Sequence, residues 1–239
     1  MAKRIVELIP EHEHYAEVFA GAGWVFFTKN ESRRESINDL NSDLIAFYRV
    51  LQNHLEEFCR QFKWLVSSRE WFIDWNRQLQ AGGLTDIQRA ARFYYLQRQS
   101  FGAKVAGRVF GSSSRGPRIN LLRLEEDLSA MHIRLARVVI EHLHWREFVA
   151  RYDRAGTFFY LDPPYWGFES LYGKGMFLKA DFSEMAECLS GIKGRFLLSL
   201  NDAPEIRALF QDFSIRTIRT AYCSKKVAPE VQELLICNY

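Results

Sequence analysis

The stretch Tyr15-Ala16-Glu17-Val18-Phe19-Ala20-Gly21-Ala22-Gly23-Trp24-Val25-Phe26-Phe27 decides how this chain is read. Tyr15 to Phe19 has a short strand pattern. It runs into Ala20-Gly21-Ala22-Gly23, where small residues let a ligand lie against the backbone, and Trp24 begins a helix. A second short strand is expected around Glu35-Ser36-Ile37, ending at Asn38-Asp39. Strand, glycine loop, helix, strand and acid together open a nucleotide-binding α/β sheet, with the ligand above the carboxyl ends of the strands. The spacing is not GxGxxG, so a dinucleotide pyrophosphate is not the indicated ligand. Asp39 stands about where an acid meets a ribose hydroxyl. Taken alone, these residues also suit a tight turn followed by a surface acid.

Upstream, Lys3 to Leu8 reads as the end of a helix stopped by Pro10. Downstream, Asp43 to Phe62 reads as one long helix with Leu44, Phe47, Leu51, Leu55 and Phe58 on one face. Residues 64–145 are rich in Trp, Arg and helical patterning. They include a Gly/Ser-rich basic loop from Gly107 to Pro117 and a helix expected over Leu121 to Leu143. The α/β pattern returns at Thr157-Phe158-Phe159-Tyr160-Leu161, a continuous apolar run expected of a strand buried on both faces. Phe182 to Leu189 reads as helix, Arg195 to Leu200 as a buried strand ending at Asn201-Asp202, and Pro204 to Phe210 as helix. Ser214 to Tyr222 and Glu233 to Asn238 read as final strands. The expected organisation is a catalytic α/β domain of residues 1–60 and 146–239, interrupted by a mostly helical subdomain of residues 61–145.

The apolar strand stops at Asp162-Pro163-Pro164-Tyr165. Two prolines cannot continue a ladder, so they aim Asp162 and the Pro163 carbonyl outward from the strand end. An amino group conjugated to an aromatic ring is a poor nucleophile because its lone pair is delocalised. Two acceptors, one a carboxylate and one a backbone carbonyl, can grip its two N–H groups and favour the geometry in which that lone pair meets an electrophile. Tyr165 can stack on the ring.

Composition narrows the class. The chain has 239 residues, 48% hydrophobic and 26% charged, as a globular protein with a sizeable core requires. Its net charge of +3 says little, but its distribution says more. From Ile87 to Leu124 there is no acid, while Arg89, Arg92, Arg98, Lys104, Arg108, Arg115, Arg118 and Arg123 are interleaved with Phe93, Tyr94, Tyr95, Phe101 and Phe110. That pattern suits a nucleic-acid contact as well as it suits a solvated face. The four cysteines, Cys59, Cys188, Cys223 and Cys237, are scattered, which points to reduced thiols in the cytoplasm and not to zinc or disulfides. No apolar run is long enough for a membrane span, and Met1-Ala2-Lys3-Arg4 does not open a signal peptide. His12, His14, His142 and His144 read as solvated turn residues, and no metal is expected. No feature sets the oligomeric state, and a monomer is the default expectation.

Taken together, these segments resemble the Dam-type family of DNA adenine-N6 methyltransferases, bacterial or prophage, in the arrangement with the cofactor motif first and DPPY last. The resemblance runs through Tyr15 to Phe27, Ile37 to Ile45, Phe158 to Gly167, Phe196 to Asp202 and Glu233-Leu234-Leu235, nearly the whole chain. It implies a Rossmann-like methyltransferase sheet with an inserted helical target-recognition subdomain. It also implies methyl transfer from S-adenosylmethionine to adenine N6 in double-stranded DNA by base flipping. By resemblance, Glu17, Phe19, Gly21, Gly23, Asp39 and Asp162 contact the cofactor, and Asp162, Pro163 and Tyr165 hold the flipped adenine. Lys104, Arg108, Arg115 and Arg118, within Tyr95 to Arg118, contact DNA.

Two departures qualify what the resemblance implies. Family members carry a Gly-Gly-Lys segment just ahead of the helix at Met1, and its absence here carries the expectation of weakened cofactor binding. Many also carry an acid shortly before the DPPY strand, where this chain has His144 and Glu147. The competing expectations are an impaired DNA-binding remnant, or a methylase of another conjugated amino group in RNA or glutamine.

Overall fold

The computed structural model describes residues 1–63, 68–78, 82–100, 123–169, 175–221 and 230–239. Among these, seven strands form one sheet in the order β3-β2-β1-β4-β5-β7-β6. Strands β1 (His14–Glu17), β2 (Arg34–Asn38), β4 (Thr157–Leu161) and β5 (Arg195–Asn201) run parallel. Strand β7 (Glu230–Cys237) lies antiparallel between β5 and β6 (Ser214–Ala221), and β3 (Val139–Glu141) is at the opposite edge. The expected α/β, Rossmann-like class is what the structure has.

The chain leaves β1 for β2 on one side and returns to β4 on the other. The gap between the carboxyl ends of β1 and β4 is therefore the topological switch point, where open α/β sheets bind ligands. Glu17 is in register with Tyr160, so β4 runs one residue further before Asp162. Leu161 is in register with Leu198, so β5 runs on beside the DPPY segment through Asn201.

Burial explains why β4 reads as an unbroken apolar run. Phe159 and Leu161 join Val18, Phe196, Leu198, Phe182 and Met185 in the core on one face. Phe158, on the other, meets the rings of His12, Tyr15 and Tyr239. Helix α9 (Lys179–Ser190) buries Phe182, Met185 and Leu189. Helix α10 (Pro204–Leu209) starts with proline at its first position, where no N–H is needed. Among the described residues Cys59, Cys188 and Cys237 are free thiols.

The chain divides into two compact units, Met1–Leu40 with Glu141–Tyr239, and Asn41–Ile140. The second unit begins ahead of α3 (Ser42–Asn53) because that helix packs on α6 (Asp86–Gln99) and α7 (Leu124–Leu135). Asn41 caps α3, its side chain accepting from the Asp43 and Leu44 N–H groups. The single helix expected over Asp43 to Phe62 is in fact two. His54 leaves helical geometry at φ −140 and ψ 40, and α4 (Leu55–Arg60) follows. The break turns Phe58 back onto Phe47, with ring centroids 5.7 Å apart.

The helix expected over Leu121 to Leu143 likewise stops at Leu135, and β3 follows. Val138, Val139 and Ile140 are β-branched and favour extended backbone. Sequence patterning also missed α8 (Trp145–Tyr152), which buries Trp145, Phe148 and Val149.

Candidate active site

Glu17 ends β1 and is buried. The Tyr15 hydroxyl donates to its Oε2 at 2.6 Å, and the Phe26 backbone N–H bonds to the same carboxyl. Burial pushes the Glu17 carboxyl up to about 8, opposed by the Tyr15 hydroxyl and reinforced by the nearby Asp162 charge. Behind this pair, Lys29 lies over the Tyr15 ring at 4.4 Å and forms a buried ion pair with Glu35 at 2.5 Å.

The loop after β1 is shaped by its glycines. Gly21 has φ 48 and Gly23 has φ 66, a left-handed backbone that L side chains rarely adopt. A Cβ added at Gly21 would meet nothing within 4 Å, so open space lies against the loop. The Gly21 N–H donates to Asp39 Oδ2 at 2.9 Å, joining the glycine loop to the end of β2. Phe19 meets Phe177 edge to face at 5.8 Å.

Buried Asn38 sews these segments together. Its Nδ2 donates to the Val18 and Leu143 carbonyls at 3.0 and 3.1 Å, and its Oδ1 accepts from the Leu143 N–H at 2.8 Å. Sequence reasoning saw Asn38 only as a strand end. Its signal was an amide where a strand stops, able to satisfy backbone groups of two neighbours at once.

At the end of β4, Pro163 and Pro164 are buried while Asp162 is reached by solvent. Ser199 Oγ donates to Asp162 Oδ1 at 2.9 Å. The carboxyl is accessible yet surrounded by protein atoms, as in a concave site. That crowding pushes it up to about 6, with the Ser199 hydrogen bond acting the other way and Glu233 adding to the rise. Tyr165 is half-buried against the core, its carbonyl accepting from the Phe168 N–H at 2.8 Å. The Trp166 N–H donates to Asn201 Oδ1 at 2.8 Å, and Lys179 lies 4.9 Å from the Trp166 ring.

The sheet thus brings Glu17, the glycine loop, Asp39 and Asp162 to neighbouring strand ends. The model of the D12 class of N6 adenine-specific DNA methyltransferases matches residues 1–222. The chain belongs to that family. Similar proteins include a type II methyltransferase of Lactococcus lactis subsp. cremoris, 27% identical over 97% of this chain and 89% of its own length. A type II methyltransferase of Paramecium bursaria Chlorella virus NC1A is 23% identical over 99% and 94%. A DNA adenine methylase of Vibrio cholerae is 25% identical over 88% and 80%.

Membership makes this chain an adenine-specific DNA methyltransferase and implies S-adenosylmethionine as methyl donor and DNA as substrate. The donor set fits that cofactor. Its ammonium and sulfonium are cationic, and Glu17 and Asp162 are carboxyls at the switch point. Asp39 is an acceptor that would suit its ribose hydroxyls, and the backbone at Gly21 has open space against it. Among the described residues no group of three or more His, Cys, Asp and Glu could hold a metal, and no helix is long and apolar enough to cross a membrane.

Other sequence expectations fare differently. Lys104, Arg108, Arg115 and Arg118 lie outside the described residues. Within the same basic stretch, Phe93 and Tyr95 are buried, and Tyr94 stacks on Phe47 at 5.6 Å, so these rings belong to the helical core and are not offered to bases. Arg89 and Arg92 pair with Asp43 at 2.5 and 3.5 Å. His12 and His14 are half-buried and hydrogen-bonded within the protein, not fully solvated turn residues. His12 bonds the Pro10 carbonyl and the Ser32 hydroxyl, and His14 the Ser36 hydroxyl. His144 caps α8 and Glu147 is exposed on that helix.

Proposed function

We propose that the enzyme methylates N6 of an adenine flipped out of duplex DNA, with Asp162, Pro163 and Tyr165 holding the base. Glu17, Phe19, Gly21, Gly23, Asp39 and Asp162 hold S-adenosylmethionine. The observation that carries this reading is the state of Asp162. It ends a buried strand at the switch point and gives one oxygen to Ser199, while solvent still reaches the side chain.

When bound, S-adenosylmethionine supplies a methyl group already activated on a sulfonium. The protein's part is to hold and polarise. Asp162 and the Pro163 carbonyl accept the two N–H groups of the adenine amine, which withdraws its lone pair from the ring and aims it outward. Tyr165 stacks on the ring and excludes water from one face. Near-attack alignment contributes about 7–11 kcal/mol. A hydrogen bond to a charged group contributes about 1.5–3 kcal/mol, so positioning dominates. Flipping costs a few kcal/mol, offset by phosphate contacts from Lys104, Arg108, Arg115 and Arg118 in a target-recognition region spanning residues 61–145. Such binding weakens with salt, and a DNA substrate is in keeping with a cytoplasmic site of action.

The test is tritiated-methyl incorporation into an adenine-containing duplex. Asp162→Ala should lose methylation while retaining DNA binding, and normal turnover by that variant would overturn the assignment.

A further inference from the structure

Strand β5 carries two polar side chains near the adenine site, Ser199 and Asn201. Two residues apart, they share one face of the strand. Leu198 and Leu200 point into the core on the other. The register that pairs Leu161 with Leu198 carries β5 past the end of β4, so both polar residues run alongside the DPPY segment. Ser199 is fully buried, which excludes a solvating role for its hydroxyl.

Each side chain makes a specific connection. Ser199 Oγ donates to Asp162 Oδ1 at 2.9 Å and lies 3.2 Å from the Tyr160 hydroxyl. A serine hydroxyl has one proton and two lone pairs. With its proton directed to Asp162, it accepts from Tyr160, whose own proton burial holds firmly. The result is a directed relay, Tyr160 to Ser199 to Asp162. Asn201 forms a pair of bonds with one residue, accepting from the Trp166 N–H at 2.8 Å and donating to the Trp166 carbonyl at 3.1 Å. It thereby acts as a strand partner for a segment that two prolines have taken off the ladder.

We propose that Ser199 and Asn201 are the positioning residues of the adenine site. Ser199 anchors one oxygen of Asp162 so that the other faces the amino group, and Asn201 locks the Tyr165–Trp166 backbone so that the Tyr165 ring keeps its stacking plane. The terminal torsion of an aspartate is soft and broad, so without an anchor the carboxylate turns freely. This inference rests on the reading of Asp162 and Tyr165 given above.

The experiment follows kcat, and kcat/KM for an adenine-containing duplex, with S-adenosylmethionine and the full chain from about pH 5 to 9. The groups facing Asp162 are Glu17 on β1, Tyr160 on β4, Ser199 on β5 and Glu233 on β7. Of the groups acting on Asp162 itself, the Ser199 hydrogen bond favours the ionised form. Ser199→Ala should lower kcat about tenfold with KM for DNA nearly unchanged. It should also move the acid limb of kcat/KM to higher pH, because the lost donor stabilised the ionised carboxylate.

Asn201→Ala should lower kcat by about the same factor without moving that limb. If Ser199→Ala or Asn201→Ala fails to fold, Ser199→Cys and Asn201→Asp carry the same measurements. The first keeps the size and weakens the donor, and the second keeps the acceptor for the Trp166 N–H and removes the donor. An unmoved acid limb in a folded Ser199 variant, or wild-type kcat in a folded Asn201 variant, overturns the proposal. Asp162→Ala separates the two readings. If it turns over normally, the assignment of Asp162 fails first. If it is inactive while the Ser199 and Asn201 variants match the parent, the positioning role alone fails.

Discussion

β1 ends in Glu17, sealed beneath Tyr15 and the Phe26 backbone, whereas β4, the adjacent strand, is followed directly by Asp162, which solvent reaches and Ser199 holds by one oxygen. Both carboxyls are raised, to about 8 and about 6, and burial is the first cause in each. The consequences differ. The sealed carboxyl keeps its proton at neutral pH until a cation approaches, which suits a cofactor carrying positive charge. The open one is ionised over most of the neutral range and offers an acceptor to an amine. On the function proposed above, Glu17 would serve the cofactor and Asp162 the substrate as well as the cofactor, two acids at one switch point given different proton affinities by their environments.

Breaking the open end should have the largest effect. Asp162→Ala removes the acceptor in the transition state, and turnover should fall by about 100-fold or more with DNA affinity retained, as read by methyl incorporation and a gel-shift titration. Breaking the sealed end should act on the cofactor instead. Glu17→Gln should weaken S-adenosylmethionine binding about tenfold in calorimetry, the loss of one charged contact. Unchanged affinity would remove Glu17 from the cofactor site.

The same pair can be sharpened by pH. Glu17 ordinarily titrates at 4.5 and is raised to about 8 in the folded chain, so between those values the native state holds a proton that the unfolded state has lost. Its contribution is fully present below about 4.5 and lost as pH rises through about 8. Without cofactor, thermal stability should therefore decline across that window, and Glu17→Gln should flatten the decline. A steeper slope in the variant would contradict the burial account.

Two smaller effects bracket the comparison from outside. Asn38→Ala strips two carbonyls and one N–H of their partner beneath the site and should cost about 1–3 kcal/mol in denaturant unfolding. Thr85→Ala, far along the chain in the helical unit, removes the capping box of α6 and should cost about 0.5–2 kcal/mol while turnover per folded molecule is unchanged.

Much of the catalytic unit was legible from residue order. β4 was read at the residues where it occurs because an apolar run buried on both faces and cut off by two prolines has few alternatives. The strand-loop-helix around Gly21 and Gly23 was legible because those positions require left-handed backbone. The helical unit was less so. Period alone does not reveal a break such as that at His54, and it carried a helix through Val138 to Ile140, where β-branched residues form β3. The described start of the basic, aromatic segment was ambiguous in a further way. Arginine and aromatic rings suit both a nucleic-acid surface and an ion-paired core, and Arg92, Phe93 and Tyr95 took the second option.

By itself the sequence determined the residues of the DPPY turn and the glycine loop and the family to which the chain belongs, because each depends on local residue identity. Tertiary structure alone decided that Glu17 is sealed while Asp162 is open, and that Ser199, Asn201 and Asn38 support them. Those contacts join residues up to 105 positions apart, and only the folded chain, through strand register and the loops beyond the strand ends, brings them together. A carboxyl's identity is written in the chain, but its proton affinity is set by the neighbours that folding supplies.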